Sequence, residues 1–143
     1  MGSLNFKIAS EAHEFDQIHR LNYRTFVEEI PQHHPNEPRM LVDKYHDENT
    51  YVVCLHRDRL VGMMCVRGER PFSLDAKLPD LDRYLPTARR LCEFRLLAVE
   101  PGHRNGRVFR GLMMRMAEYC LERKFDLAVM SGTVRQLKLY GHL

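Results

Sequence analysis

The segment spanning residues 91–124 most restricts what this chain can become. Residues 91–99 form an apolar run of strand type, Pro101-Gly102 closes it, and from about Gly106 to Lys124 the pattern changes to helical spacing. Phe109, Met113, Met116, Ala117 and Cys120 share one face of that helix, with Arg115, Glu118 and Glu122 on others. A strand delivered straight into an amphipathic helix needs a sheet for the helix to lie on. The remaining pattern supplies one. Residues 6–9 read as a short strand, and a helix over 10–30, capped by Ser10, carries Phe15, Ile18, Leu21, Phe26 and Ile30 at helical spacing until Pro31, Pro35 and Pro38 forbid its continuation. Residues 50–55 and 60–66 read as a hairpin about Arg57-Asp58-Arg59, with Gly62 marking a bulge or a close backbone approach. The stretch 69–90 is polar and proline-punctuated, with a turn or two of helix around 78–85; residues 127–130 form a further strand and 134–140 a last helix. This order predicts an α/β (α+β) fold with a mixed central sheet flanked by helices.

At 143 residues the chain fits a single domain with its own apolar core. A net charge of +3 is too mild, and the acidic residues too evenly spread, for a nucleic-acid-binding stripe. Cys54, Cys65, Cys92 and Cys120 form no C-x-x-C pair and sit in apolar runs, so they read as reduced, small hydrophobes. No apolar stretch is long enough to span a membrane, and the N-terminus has neither a signal-peptide pattern nor, with Phe6 at the sixth position, a myristoylation motif. A cytoplasmic protein is expected. His33 and His34 are adjacent and no metal-ligand spacing occurs, so no metal is expected.

The turn before the second long helix breaks a local rule. A helix N-terminus carries partial positive charge and unpaired N–H groups, and favours acidic residues. Here stand Arg104, Arg107 and Arg110. A phosphate or pyrophosphate would accept the N–H groups and neutralise the guanidiniums together, with Gly106 letting backbone approach it. The alternative is that the arginines reach into solvent and pair with carboxylates such as Glu100.

The strand ending Leu97-Ala98-Val99-Glu100-Pro101, then Arg104 and a glycine-bearing turn into a helix, resembles the donor-binding motif of GNAT acyltransferases. Ser131 and the run Leu137-Lys138-Leu139-Tyr140-Gly141 are similar to the family's later strand, tyrosine helix and glycine turn. Tyr23-Arg24-Thr25-Phe26, Leu41-Val42-Asp43, Val61-Gly62 through Arg67, and Glu93 resemble the layout of N-acyl amino acid synthases and acyl-homoserine-lactone synthases. Three positions depart from the pattern. Arg107 stands where the donor loop has glycine and Phe109 where it has glycine or alanine, and Leu96 stands where an arginine is usual, with Arg95 one place early.

The resemblance implies an N-acyltransferase that moves an acyl group from an acyl-CoA or acyl-carrier-protein thioester to a small-molecule amine. Leu97, Ala98, Val99, Arg104, Asn105, Gly106, Arg107 and Val108 would hold the donor, and Arg24, Phe26, Asp43 and Arg67 the acceptor. Tyr140 would protonate the leaving thiolate, or else simply pack under the last strand. Glu93 would take the amine's proton if it faces the cleft, or else bridge to Arg95 or Arg67. A non-catalytic domain that senses acyl thioesters is the alternative. Relatives continue past the glycine turn into further strands, so a fragment, or completion by a partner subunit such as a second copy, is expected.

Overall fold

The computed structural model describes residues 3–87 and 89–131. The expected helix over 134–140, with Tyr140, lies outside the described residues. Five strands lie in sequence order: β1 (Leu4–Ile8), β2 (Thr50–His56), β3 (Arg59–Arg67), β4 (Leu91–Val99) and β5 (Leu127–Val129). Every neighbouring pair is antiparallel except β4 and β5, which are parallel. That is the mixed sheet expected, and the helix α3 (Arg107–Glu122) is the crossover between the two parallel strands. β1 starts and ends earlier than its apolar pattern suggests, because its register is set by pairing Leu4 with His56 and Ile8 with Val52.

Strand alternation divides the core between two helices. Val53, Leu55, Met63, Cys65 and Ala98 face α1 (Ala12–Tyr23), meeting Ile18 and Leu21. Val52, Val61, Met64, Leu97 and Val99 face α3, meeting Val108, Leu112 and Met116. Gly62 allows this second contact: a Cβ there would lie 2.5 Å from Cγ1 of Val108. The register also shifts beside it, between Cys54 and Leu55, so both readings of this glycine hold. The hairpin closes through Arg57 and Asp58, each at positive φ, as a tight right-twisted turn requires. Gln17 of α1 clamps that turn, donating to the Asp58 carbonyl and accepting from the Leu60 N–H.

The first helix differs from expectation at both ends. Its N-cap is Glu11 rather than Ser10, with Glu14 Oε1 accepting the N–H groups of Ser10 and Glu11. The α-helix stops at Tyr23, and Arg24–Glu29 continue as a π-helical turn in which Ile30 N–H reaches back to the Thr25 carbonyl. Such turns keep an apolar face on the core while widening the backbone, and they are frequent at functional sites. In the stretch 69–90 the structure adds a five-residue helix α2 (Ser73–Lys77) and a short 3-10 turn. No helix among the described residues is long and apolar enough to cross a membrane.

Candidate active site

The site forms where the pairing of β4 with β5 ends. The two strands pair only from Leu91 to Glu93, opposite Leu127 to Val129, and beyond that point the described residues place no strand on the outer edge of β4. At the same place β4 bulges: its register against β3 jumps between Cys65, opposite Arg95, and Met63, opposite Ala98. Leu96 takes the left-handed conformation, with φ 58°. A bulky residue at positive φ costs energy and persists where the surroundings enforce it. The bulge puts Arg95 and Leu96 on the α1 side in succession and leaves Phe94 on the other. A cleft of about 390 Å³ opens there, lined by Phe26, Asp43, Ser73, Phe94, Arg95 and Leu96 among others. Phe94 also lines an apolar cavity of about 170 Å³ beneath α3, with Met113 and Phe125.

Charge inside the cleft is organised by one ion pair. Arg95 donates from Nη2 to Asp43 Oδ1 at 2.9 Å and from Nη1 to Oδ2 at 2.7 Å. Oδ2 also accepts from Asn49 Nδ2 and from the Tyr45 N–H. Burial would raise the Asp43 pKa, but the hydrogen bonds and charge of Arg95, with those two further donors, hold it below the usual value. Asp43 is therefore an anion suited to holding a cationic or N–H-bearing group, and a weak base. The guanidiniums of Arg95 and Arg67 both lie over the Tyr45 ring, with centroid distances of 5.2 and 3.9 Å.

The residues expected to form the site separate into those at the cleft and those that brace it. Phe26 lines the cleft from the π-helical turn, and Asp43 does so from the loop after it. Arg24 does not: it pairs with Glu100 and borders a separate surface hollow with Arg20 and Arg59. Arg67 is buried, donating to the Pro71 carbonyl and to Glu48.

Glu93 lies on the side of bracing. It is fully buried and is not among the residues lining the cleft. Its carboxylate accepts from the Ser73 N–H at 3.0 Å, the Ser73 hydroxyl at 2.7 Å and the Leu74 N–H at 3.0 Å. The alternative bridge is only a loose one, with Arg95 Nε at 3.9 Å. Glu93 thus caps α2 from β4 and fixes Ser73 and Lys77 at the rim. Glu93→Ala is expected to cost about 3 kcal/mol in urea unfolding, because charged acceptors removed from buried donors leave those donors unpaired; a loss of turnover with unchanged stability would contradict this.

At the start of α3 the arginines do not crowd together. Arg104 turns back, donating from Nε to the Val99 carbonyl and from Nη1 and Nη2 to both oxygens of Glu29, at 2.7 and 2.6 Å. The carboxylate alternative holds for Arg104, with Glu29 as the partner; Glu100 goes to Arg24. Arg107 and Arg110 stand exposed, and none of the ion pairs among the described residues involves either. Gly106, at φ 90°, caps the helix in a conformation that suits glycine, and Asn105 Oδ1 accepts the Arg107 N–H. The N–H groups of Val108 and Phe109 start the helix without a side-chain cap.

Other chemistries find less support. Burial pushes the thiol of Cys54 up to about 11 and that of Cys92 up to about 12, so neither is a nucleophile at neutral pH. Glu11, His13 and Glu14 approach one another within 4.8 Å, but Lys7 Nζ, 2.8 Å from Glu14, already supplies a cation there.

A mixed five-stranded sheet, with a bulge in the fourth strand just past its pairing with the fifth and a glycine-capped helix leading from the end of the fourth, has the GNAT acyltransferase fold. Solved structures agree. The AHL synthase LasI aligns with a TM-score of 0.76 at 17% identity, covering 98% of this chain and 77% of that one. FeeM, an N-acyl amino acid synthase from uncultured soil microbes, aligns with 0.72 at 15%, covering 98% and 77%. The CoA-dependent acyl-homoserine lactone synthase BjaI, solved with SAM and isopentyl-CoA, aligns with 0.75 at 21%, covering 99% and 71%. No curated protein sequence matches the chain. The model of the family N-acyl amino acid synthase FeeM matches residues 17–143, and the chain belongs to that family. It is an acyltransferase that moves an acyl group onto an amine.

Proposed function

We propose that this single domain is an N-acyl amino acid synthase, which transfers an acyl chain from a pantetheine thioester, of coenzyme A or of an acyl carrier protein, to the α-amine of an amino acid. The observation that carries the reading is the coincidence, in one cleft, of the bulged β4 edge, on which the described residues place no strand, and the Asp43–Arg95 pair. Edge peptide groups around Leu97, Ala98 and Val99 pair with the pantetheine amides as an added strand would. The Val108 and Phe109 N–H groups with Arg107 and Arg110 take phosphate, Asn105 and Gly106 shaping that turn. Arg104, tied to Glu29, holds the turn against the end of β4.

On the other side, the amine lies against the Asp43 carboxylate, and Lys77 and Lys44 at the rim suit the acceptor's own carboxylate. Phe26, Leu41 and Leu96 offer apolar surface to its side chain. The unprotonated amine attacks the thioester carbon, and backbone donors at the bulge stabilise the oxyanion. Collapse breaks the C–S bond, the amine's proton passes to water, and Tyr140 is the candidate acid for the thiolate. Arg24, Arg67 and Glu93 act through the groups they brace. The cysteine environment suits a reducing, cytoplasmic setting.

The test supplies acyl-CoA and acyl-loaded carrier protein with a mixture of amino acids, following thiol release and the mass of the product. Thiol release that depends on an amino acid, with an N-acyl amino acid formed, is expected. Tight donor binding with no release under either donor would instead make the domain a sensor of acyl thioesters.

A further inference from the structure

Asp43 is the terminus of a hydrogen-bonded chain that runs away from the cleft into the space between α1 and the sheet. Asn49 Nδ2 donates to Asp43 Oδ2 at 2.9 Å and to the Tyr51 hydroxyl at 3.2 Å. The Tyr51 hydroxyl lies 2.9 Å from His46 Nδ1. His46 packs edge-on against Phe15 and His19. The direction of the Asn49 bonds follows from the Asp43 end. An ionised carboxylate only accepts, so the Asn49 atom facing Asp43 is the amide nitrogen, which only donates. The Tyr51 oxygen therefore accepts from Asn49, and the phenol, still carrying its own proton, shares a further hydrogen bond with His46 Nδ1. Burial holds the Tyr51 phenol well above its usual range, which keeps that proton in place.

Two features show that this chain does more than fill space. The Asn49 carbonyl oxygen is buried without a partner among the described residues, so the side chain is kept for its donor end and tolerates an unsatisfied acceptor. The donors on Asp43 are also unevenly divided. Among the described residues Oδ2 receives Arg95, Asn49 and the Tyr45 N–H, whereas Oδ1 receives Arg95 alone. One carboxylate oxygen is saturated and the other keeps lone-pair capacity.

We infer that Asn49, set by Tyr51 and His46, is a positioning residue for acyl transfer: it pins Asp43 Oδ2 so that Oδ1 is the oxygen presented to the N–H of the amine acceptor. The inference rests on the proposed function for the identity of the ligand and goes beyond it in assigning the orientation of Asp43. Without Asn49 the carboxylate keeps Arg95 and the Tyr45 N–H but loses the side-chain donor that holds Oδ2, so it is less firmly oriented and an acceptor must fix it on binding. The donor, held at the β4 edge and the start of α3, is indifferent to it.

Steady-state kinetics of the whole chain test this with two variants, each read for both substrates. Asn49→Ala is expected to raise the acceptor KM about tenfold, the scale of one charge-assisted hydrogen bond, with kcat and the donor KM unchanged. Tyr51→Phe keeps the ring in the core and removes only the hydroxyl, so a smaller rise of about threefold is expected, with the same split. An unchanged acceptor KM in Asn49→Ala, or a donor KM that rises in step with it, overturns the inference. Thiol release by the unaltered protein reports separately on the functional reading. Should no amino acid elicit it, side-chain nitrogen NMR decides the matter in the resting protein: the Arg95 guanidinium protons are expected to exchange faster in Asn49→Ala, and equal protection would overturn the assignment.

Discussion

Asp43→Ala is expected to lower the unfolding free energy by about 3–5 kcal/mol, the usual cost of removing one partner of a buried ion pair. Only 8% of the Asp43 side chain and 15% of the Arg95 side chain are exposed, so solvent does little to replace the lost charge. Arg95 would be left facing Glu93 at 3.9 Å, and that carboxylate is already committed to Ser73 and Leu74. The effect has a defined pH dependence. The folded-state pKa of Asp43 lies below its unfolded value of about 4, so its contribution is present above that value and is lost as pH falls through the folded one. Urea unfolding of Asp43→Ala and the unaltered protein should thus differ most near neutrality and converge in acid. Amine-dependent thiol release should disappear in the variant. A difference under 1 kcal/mol at neutral pH would show that the pair is not buried as described.

The residues of this pair were unequally legible. Asp43 could be named as an acceptor-side candidate because a family pattern surrounds it, whereas Arg95 stood out only as an arginine one position out of place. The bulge explains the displacement. Leu96 at positive φ sets Arg95 and Leu96 on the same side of the sheet, and no leucine in an apolar run announces such a conformation. The hairpin was readable because its turn chemistry and alternation are local. The end of α1 was not: apolar residues at helical spacing to Ile30 look alike whether the backbone closes α or π turns.

Long-range pairing was hidden for the same reason. Glu29 and Arg104 are 75 residues apart, and nothing near either names the other. Glu93 was taken up by a short helix in a stretch whose polar pattern gave little warning of one. The Asn49–Tyr51–His46 chain was equally silent, since it joins a loop to a strand through atoms rather than through a motif.

The largest effect on substrate use should come from the start of α3. The double change Arg107→Ala with Arg110→Ala is expected to raise the donor KM about 100-fold, roughly tenfold for each charge-assisted contact with phosphate. The acceptor KM should stay as it is, because neither arginine lines the cleft proposed for the acceptor. Stability should move the other way. Both side chains are exposed cations at the positive end of a helix, so removing them relieves an unfavourable interaction of about 0.3–1 kcal/mol each. A variant that folds slightly more firmly yet binds donor far less well could not be explained by damage to the fold. Ionic strength gives an independent readout: the donor KM of the unaltered protein should climb with added salt, and that of the double variant should be nearly flat. Arg104→Ala provides the contrast, since its guanidinium is spent on Glu29 and the Val99 carbonyl; it should lose stability and keep the salt dependence. If the double variant retains both the donor KM and its response to salt, phosphate is not held at this helix start, and the donor must be anchored along the β4 edge alone.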